Sequence, residues 1–147
     1  VEKIPEKLRL LLEQKGIKNL DSLGNDADAW IEELSDEYTC FPAARDVLRS
    51  VGGLVSRVRC PGIDFSRTDF SLDPIPARGE GEFIANHEQF TGTKLYPIGF
   101  ADQGTDYLVI GENGNCFWIG SDLERYDSYV TLIEGLLSGK RGESIRA

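Results

Sequence analysis

Histidine occurs once in these 147 residues, cysteine three times and methionine not at all. The lone histidine, His87, removes multi-histidine metal sites and makes any Ser-His or Cys-His catalytic pair depend on one residue. Cys40, Cys60 and Cys116 are an odd number at wide spacings, with no pair at the spacing of a zinc or redox motif, so they read as buried reduced thiols. Without methionine, Val1 is either a processed start or a cut edge. No apolar run approaches the roughly 20 residues that cross a bilayer, and Glu2, Lys3 and Glu6 around Pro5 leave no signal-peptide core. The expectation is a cytoplasmic protein.

Positive charge is scarce as well. Sixteen Lys and Arg stand against 25 Asp and Glu, a net charge of -9. That argues against direct binding to nucleic acid, which needs clustered cations to neutralise phosphates. A basic partner is the natural complement, and the bland alternative is acidity kept for solubility. With 40% hydrophobic and 28% charged residues the chain has none of the hydrophobicity deficit of disordered proteins. Its length suits one domain over residues 1–147, which buries about 68–70% of the surface that the unfolded chain exposes. No internal repeat, linker or low-complexity stretch divides it.

The first third, residues 1–40, has helical periodicity. Ile4, Leu8, Leu11 and Leu12 follow one face after Pro5, and Gly16 supplies a stop. After a turn at Gly24 and Asn25, Ala27, Trp30, Ile31, Leu34 and Tyr38 form a second stripe, with Asp26 and Asp28 in its first turn. Pro42 opens a third helix through Ala44, Val47, Leu48 and Val51, closed by Gly52 and Gly53. From residue 54 the period becomes two. Leu54, Ser56, Val58 and Cys60 alternate with Val55, Arg57 and Arg59, and Thr68, Phe70 and Leu72 alternate with Arg67, Asp69, Ser71 and Asp73. The two strands are able to pair, and Pro74 and Pro76 end the second. A short helix carries Phe83, Ile84, His87 and Phe90 on one side before Gly92. Residues 94–100 form a strand that Pro97 places near a sheet edge or a bulge.

Residues 107–110 and 116–119 flank Asn113-Gly114, a pair suited to a type I′ turn with positive φ at both residues. That turn sets Ile110 opposite Phe117 and Leu108 opposite Ile119, with Tyr107, Val109 and Trp118 on the other face. Both faces are apolar, so the hairpin is either central and covered or half exposed and adhesive. Tyr129, Leu132, Ile133, Leu136 and Leu137 then form a closing helix, capped by Asp127 or Ser128 and ended by Gly139, and the tail after Gly142 is expected to fray. The order predicts an α+β domain with a mainly antiparallel sheet packed by N-terminal helices and a C-terminal helix.

Chemistry is sparse. His87 lies on the apolar side of its helix and reads as structural. Asp102, Asp106, Asp122, Glu124 and Asp127 fall in loops, where solvated acids and caps outnumber glycosidase-like pairs, and neither acidic loop has the alternating ligands of a calcium site. Residues 111–114 lie between strands rather than opening a helix, unlike a phosphate cradle. No metal and no cofactor is expected. Aromatics interleaved with acids suit a basic protein partner better than nucleic acid. The expected docking face is therefore Trp118, Tyr107 and Tyr126 as anchors, with Asp102, Asp106 and Asp122 as a charged rim, Trp118 standing open between interface and core.

The run Pro42-Ala43-Ala44 through Val47-Leu48 to Gly52-Gly53-Leu54, then Tyr96-Pro97-Ile98-Gly99, the Leu108-to-Trp118 hairpin, and Leu132 to Arg141 with Gly139, resembles the SUKH superfamily. More narrowly it is similar to the third bacterial subgroup of SUKH immunity proteins, over about residues 41–141. The resemblance implies an α+β, non-enzymatic domain that blocks a cognate polymorphic toxin, often a nuclease or deaminase, in the producing cell. Eukaryotic relatives act as regulatory interaction proteins, so a scaffold function is the alternative. A small hydrolase with an acidic pair is the reading from a different class. The glycine motifs are structural and carry no toxin contact across.

Overall fold

The computed structural model describes residues 4–57, 61–64 and 68–145. Its helices are α1 (Glu6–Gln14), α2 (Ala27–Glu33), α3 (Pro42–Val51), α4 (Gly81–Asn86), α5 (Glu88–Thr91) and α6 (Tyr129–Ser138). Its strands are β1 (Val55–Ser56), β2 (Phe70–Ser71), β3 (Leu95–Ala101), β4 (Asp106–Gly111), β5 (Cys116–Ile119), β6 (Leu123–Tyr126) and β7 (Glu143–Ser144). They form one sheet in chain order, each strand antiparallel to the next. The domain is α+β, as the order of periodicities implies. No helix among the described residues is long and apolar enough to cross a membrane.

Local chemistry explains the helix ends. Pro42 stands at the start of α3 and Phe41 before it is extended, the geometry in which a missing N–H costs nothing. Ser128 caps α6 by accepting the Thr131 N–H at 3.2 Å, and Gly139 ends it in the left-handed region at φ 68°. The second helix is shorter than its apolar stripe. It ends at Glu33, and Tyr38 reaches the core from the following turn, where its hydroxyl donates to the Ala77 carbonyl at 2.7 Å.

Helix α3 packs on β3 and β4, α6 on β5 and β6, and α1 on α6. Leu108 and Val109 point to opposite sides of β4 and are both fully buried. The central hairpin is thus covered on both faces. Leu54 and Ser56 are buried while Val55 is exposed, and β1 pairs with β2, so that alternation holds where it is described. Val58, Arg59, Cys60 and Arg67 lie outside the described residues.

Strand β3 is interior, and of the two settings expected for Pro97, a sheet edge or a bulge, the structure has the bulge, between Pro97 and Gly99. Four other expectations are corrected. The hairpin turn is not type I′. Gly114 has φ 90° but Asn113 does not have positive φ. The Gly114 N–H donates to the Gly111 carbonyl and the Gly111 N–H to the Asn115 carbonyl, the pattern of a type I turn followed by a left-handed glycine. Asn113 instead accepts the Asn115 N–H on its side chain at 3.1 Å. The longer turn shifts the register by one, pairing Leu108 with Trp118 and Tyr107 with Ile119. Residues 123–126, taken as loop, are β6. The tail does not fray at Gly142, because residues 143–144 add β7 to the sheet beside Glu124 and Arg125.

Candidate functional site

The register decides which of the expected site residues meet. A shift of one residue moves a side chain to the other face of a sheet, so Trp118 and Tyr107 leave opposite faces. Trp118 shares its side with Asp106, and its indole N–H donates to the Asp106 carboxylate at 2.8 Å. The other Asp106 oxygen lies 3.2 Å from the Thr105 hydroxyl. Asp122 accepts the Leu123 N–H at 2.8 Å. Trp118, Asp106 and Asp122, with Glu124 and Arg141, line one hollow of ≈ 170 Å³.

Glu124 is the residue that sequence reasoning misplaced. It stands opposite Trp118 in the ladder and is 9% exposed. Its carboxylate accepts the Gly142 N–H at 2.9 Å and faces the Arg141 guanidinium at 3.3 Å. Hydrogen bonds of this charge-assisted kind compensate a buried carboxylate. Nothing in the run Leu123-Glu124-Arg125-Tyr126 announces this, since the charge sits where an apolar residue is expected.

Tyr126 is not a surface anchor. It is 3% exposed, its hydroxyl donates to the Lys140 carbonyl at 3.0 Å, and Gly135 of α6 leaves room for its ring. Burial, and then the charge of Glu124, push its phenol well above the ordinary value of 10. Tyr126 pins the end of α6 to the sheet.

Asp102 and Tyr107 lie apart from the hollow. Asp102 is exposed, in the loop between β3 and β4, with φ 52°. Tyr107 is half-buried and pairs with Phe100 across β3. Its ring meets Phe83 of α4 at 6.0 Å between centroids. Phe83 in turn lies 4.9 Å from His87, and His87 6.5 Å from Phe90. His87 is buried beneath these rings, with Nδ1 donating to the Phe83 carbonyl at 2.9 Å, a structural position. Phe83 and Phe90 remain 44% and 47% exposed, while Ile84 is the residue of α4 that enters the core. The sequence shows the helical spacing of Phe83, His87 and Phe90 but not which edge of that stripe faces outward.

The two thiols among the described residues, Cys40 and Cys116, are poor nucleophiles. Burial pushes the Cys116 thiol far up and the half-buried Cys40 thiol up too, the latter opposed by Arg45, and a thiol held protonated is unreactive. Among the described residues, no three His, Cys, Asp or Glu side chains are grouped to hold a metal.

One antiparallel sheet in chain order, with its central hairpin covered on both faces by helices and loops, defines the chain as a member of the α+β class. The family model described as SUKH-3 immunity protein matches residues 5–139, and the chain belongs to that family. The match takes in the N-terminal helices, beyond the 41–141 region in which the motifs are legible. No curated protein and no solved structure matches the chain. Membership supports an immunity-protein role and implies a non-enzymatic one.

Proposed function

We propose that this protein binds and neutralises a cognate bacterial toxin domain of basic character inside the producing cell, the toxin being of nuclease or deaminase type. The observation that carries this reading is the family match over residues 5–139. The net charge of -9 supports a basic partner, because opposite fields steer two proteins together and raise their association rate. Of the residues proposed as contacts, Tyr126 is withdrawn to the core. Tyr107 stands on one side of the sheet and Trp118 and Asp106 on the other, beside Asp122, while Asp102 lies exposed in the loop between β3 and β4.

Co-expression with the toxin encoded beside its gene tests the role. Cells carrying both proteins are expected to grow, and the two are expected to co-purify without turnover of either. Continued growth arrest with no co-purification overturns the proposal.

A further inference from the structure

We propose that the toxin docks on the strip formed by Tyr107, Phe83 and Phe90, with Glu80 and Glu82 as its acidic border. This rests on the toxin-binding reading above. Phe83 and Phe90 are two of the few large apolar side chains left exposed, and the ring contacts through buried His87 join them to Tyr107 in one surface. Scattered exposed apolar residues are ordinary, whereas adjoining aromatic ones mark interaction sites.

Charge selects the occupant. Residues 79–92 hold Glu80, Glu82 and Glu88 and no Lys or Arg. Arg78, just before them, is already paired with Glu33 at 2.9 Å. A second copy of this chain would bring one acidic border against another at a net charge of -9 each, whereas a basic toxin surface complements it. The hollow at Trp118 is less suited. Its indole N–H is committed to Asp106, and Arg141 places a cation in its wall.

The strip is also held in place before any partner arrives. The Glu37 carboxylate accepts the N–H groups of Gly79 and Gly81, both at 2.8 Å, which fixes the start of α4. Glu88 accepts the Leu95 N–H at 2.9 Å and ties α5 to β3. Such pre-ordering lowers the entropic cost of association.

The test measures binding kinetics of the purified toxin domain, encoded beside the gene, to four proteins confirmed as folded by urea denaturation. These are wild type, Phe83→Ala with Phe90→Ala, Glu82→Arg, and Ser121→Arg in the Trp118 hollow. The double variant is expected to weaken Kd about 30-fold or more, chiefly through dissociation. Glu82→Arg, on an exposed side chain that does not threaten the fold, is expected to slow association several-fold and flatten its salt dependence. Ser121→Arg is expected to bind as wild type. Wild-type kinetics in both strip variants, or a loss confined to Ser121→Arg, overturns the strip while leaving the immunity role intact. So does a double variant that binds toxin normally but converts a dimer to a monomer in sedimentation equilibrium. A wild-type protein that does not bind removes the immunity reading and the strip together.

Discussion

Gly24 and Gly114 have nearly the same backbone twist, φ 86° and 90°, yet adding one methyl group to each is expected to have different consequences. A left-handed conformation costs a non-glycine residue roughly 1–2 kcal/mol. At Gly114 that is the whole effect, because a Cβ there meets nothing within 4 Å. At Gly24 the Cβ falls onto the carbonyl of Arg49 in α3. That carbonyl is backbone and is unable to swing aside as a side chain does. Gly24 also donates its own N–H to the Gly52 carbonyl at 2.8 Å, so relief of the clash loosens the contact between the turn before α2 and the end of α3. The sum for Gly24→Ala is about 3–5 kcal/mol, a size seen when steric conflict and a lost hydrogen bond coincide. Urea denaturation resolves the difference, since about 1–3 kcal/mol per molar of slope converts a gap of that size into a shift of the midpoint by roughly 1 M or more. Equal midpoints for Gly24→Ala and Gly114→Ala would refute the steric reasoning. Strong destabilisation by Gly114→Ala would contradict the open turn.

Tyr96 is fully buried and its hydroxyl finds no hydrogen-bond partner among the described residues. Tyr96→Phe keeps the ring contacts with Tyr38 and Phe41 and is expected to stabilise the protein by about 1–3 kcal/mol in urea; a loss would show that the hydroxyl is bonded. Burial pushes this phenol up to about 12 from 10.0. A folded-state pKa above the unfolded value gives stability that is complete below pH 10 and lost as pH rises toward 12, at about 1.4 kcal/mol per pH unit. Denaturation at a series of alkaline pH values is expected to show a shallower decline for Tyr96→Phe than for wild type, and parallel declines would contradict the assignment. EDTA is expected to leave Tm unchanged in a thermal melt, since a bound metal stabilises the folded state by linkage; a fall of several degrees would reveal a metal site.

The helices were legible because their signals are local. Leu8 and Leu12, Ala44 and Leu48, and Leu132 and Leu136 follow the period of one turn and are all buried, and proline and glycine mark the ends. Strand pairing was legible only in outline, since register depends on the number of residues in a turn, and Asn113 satisfied that turn through its side chain instead of a left-handed backbone. That one-residue difference separated Trp118 from Tyr107 and divided the expected docking face. Strand β6 was hidden by Glu124, whose burial depends on Arg141 and Gly142, 17 and 18 residues away. Phe83 of α4 and Phe90 of α5 are left exposed, and the start of α4 is held by Glu37 through contacts across 42 and 44 residues that no local period encodes.

Titration of the purified protein against the toxin domain encoded beside its gene, followed by calorimetry at low and high salt, tests the immunity function most directly. A saturable complex whose affinity falls with salt is the expected result, and no detectable heat or complex at micromolar concentrations of both proteins would contradict it.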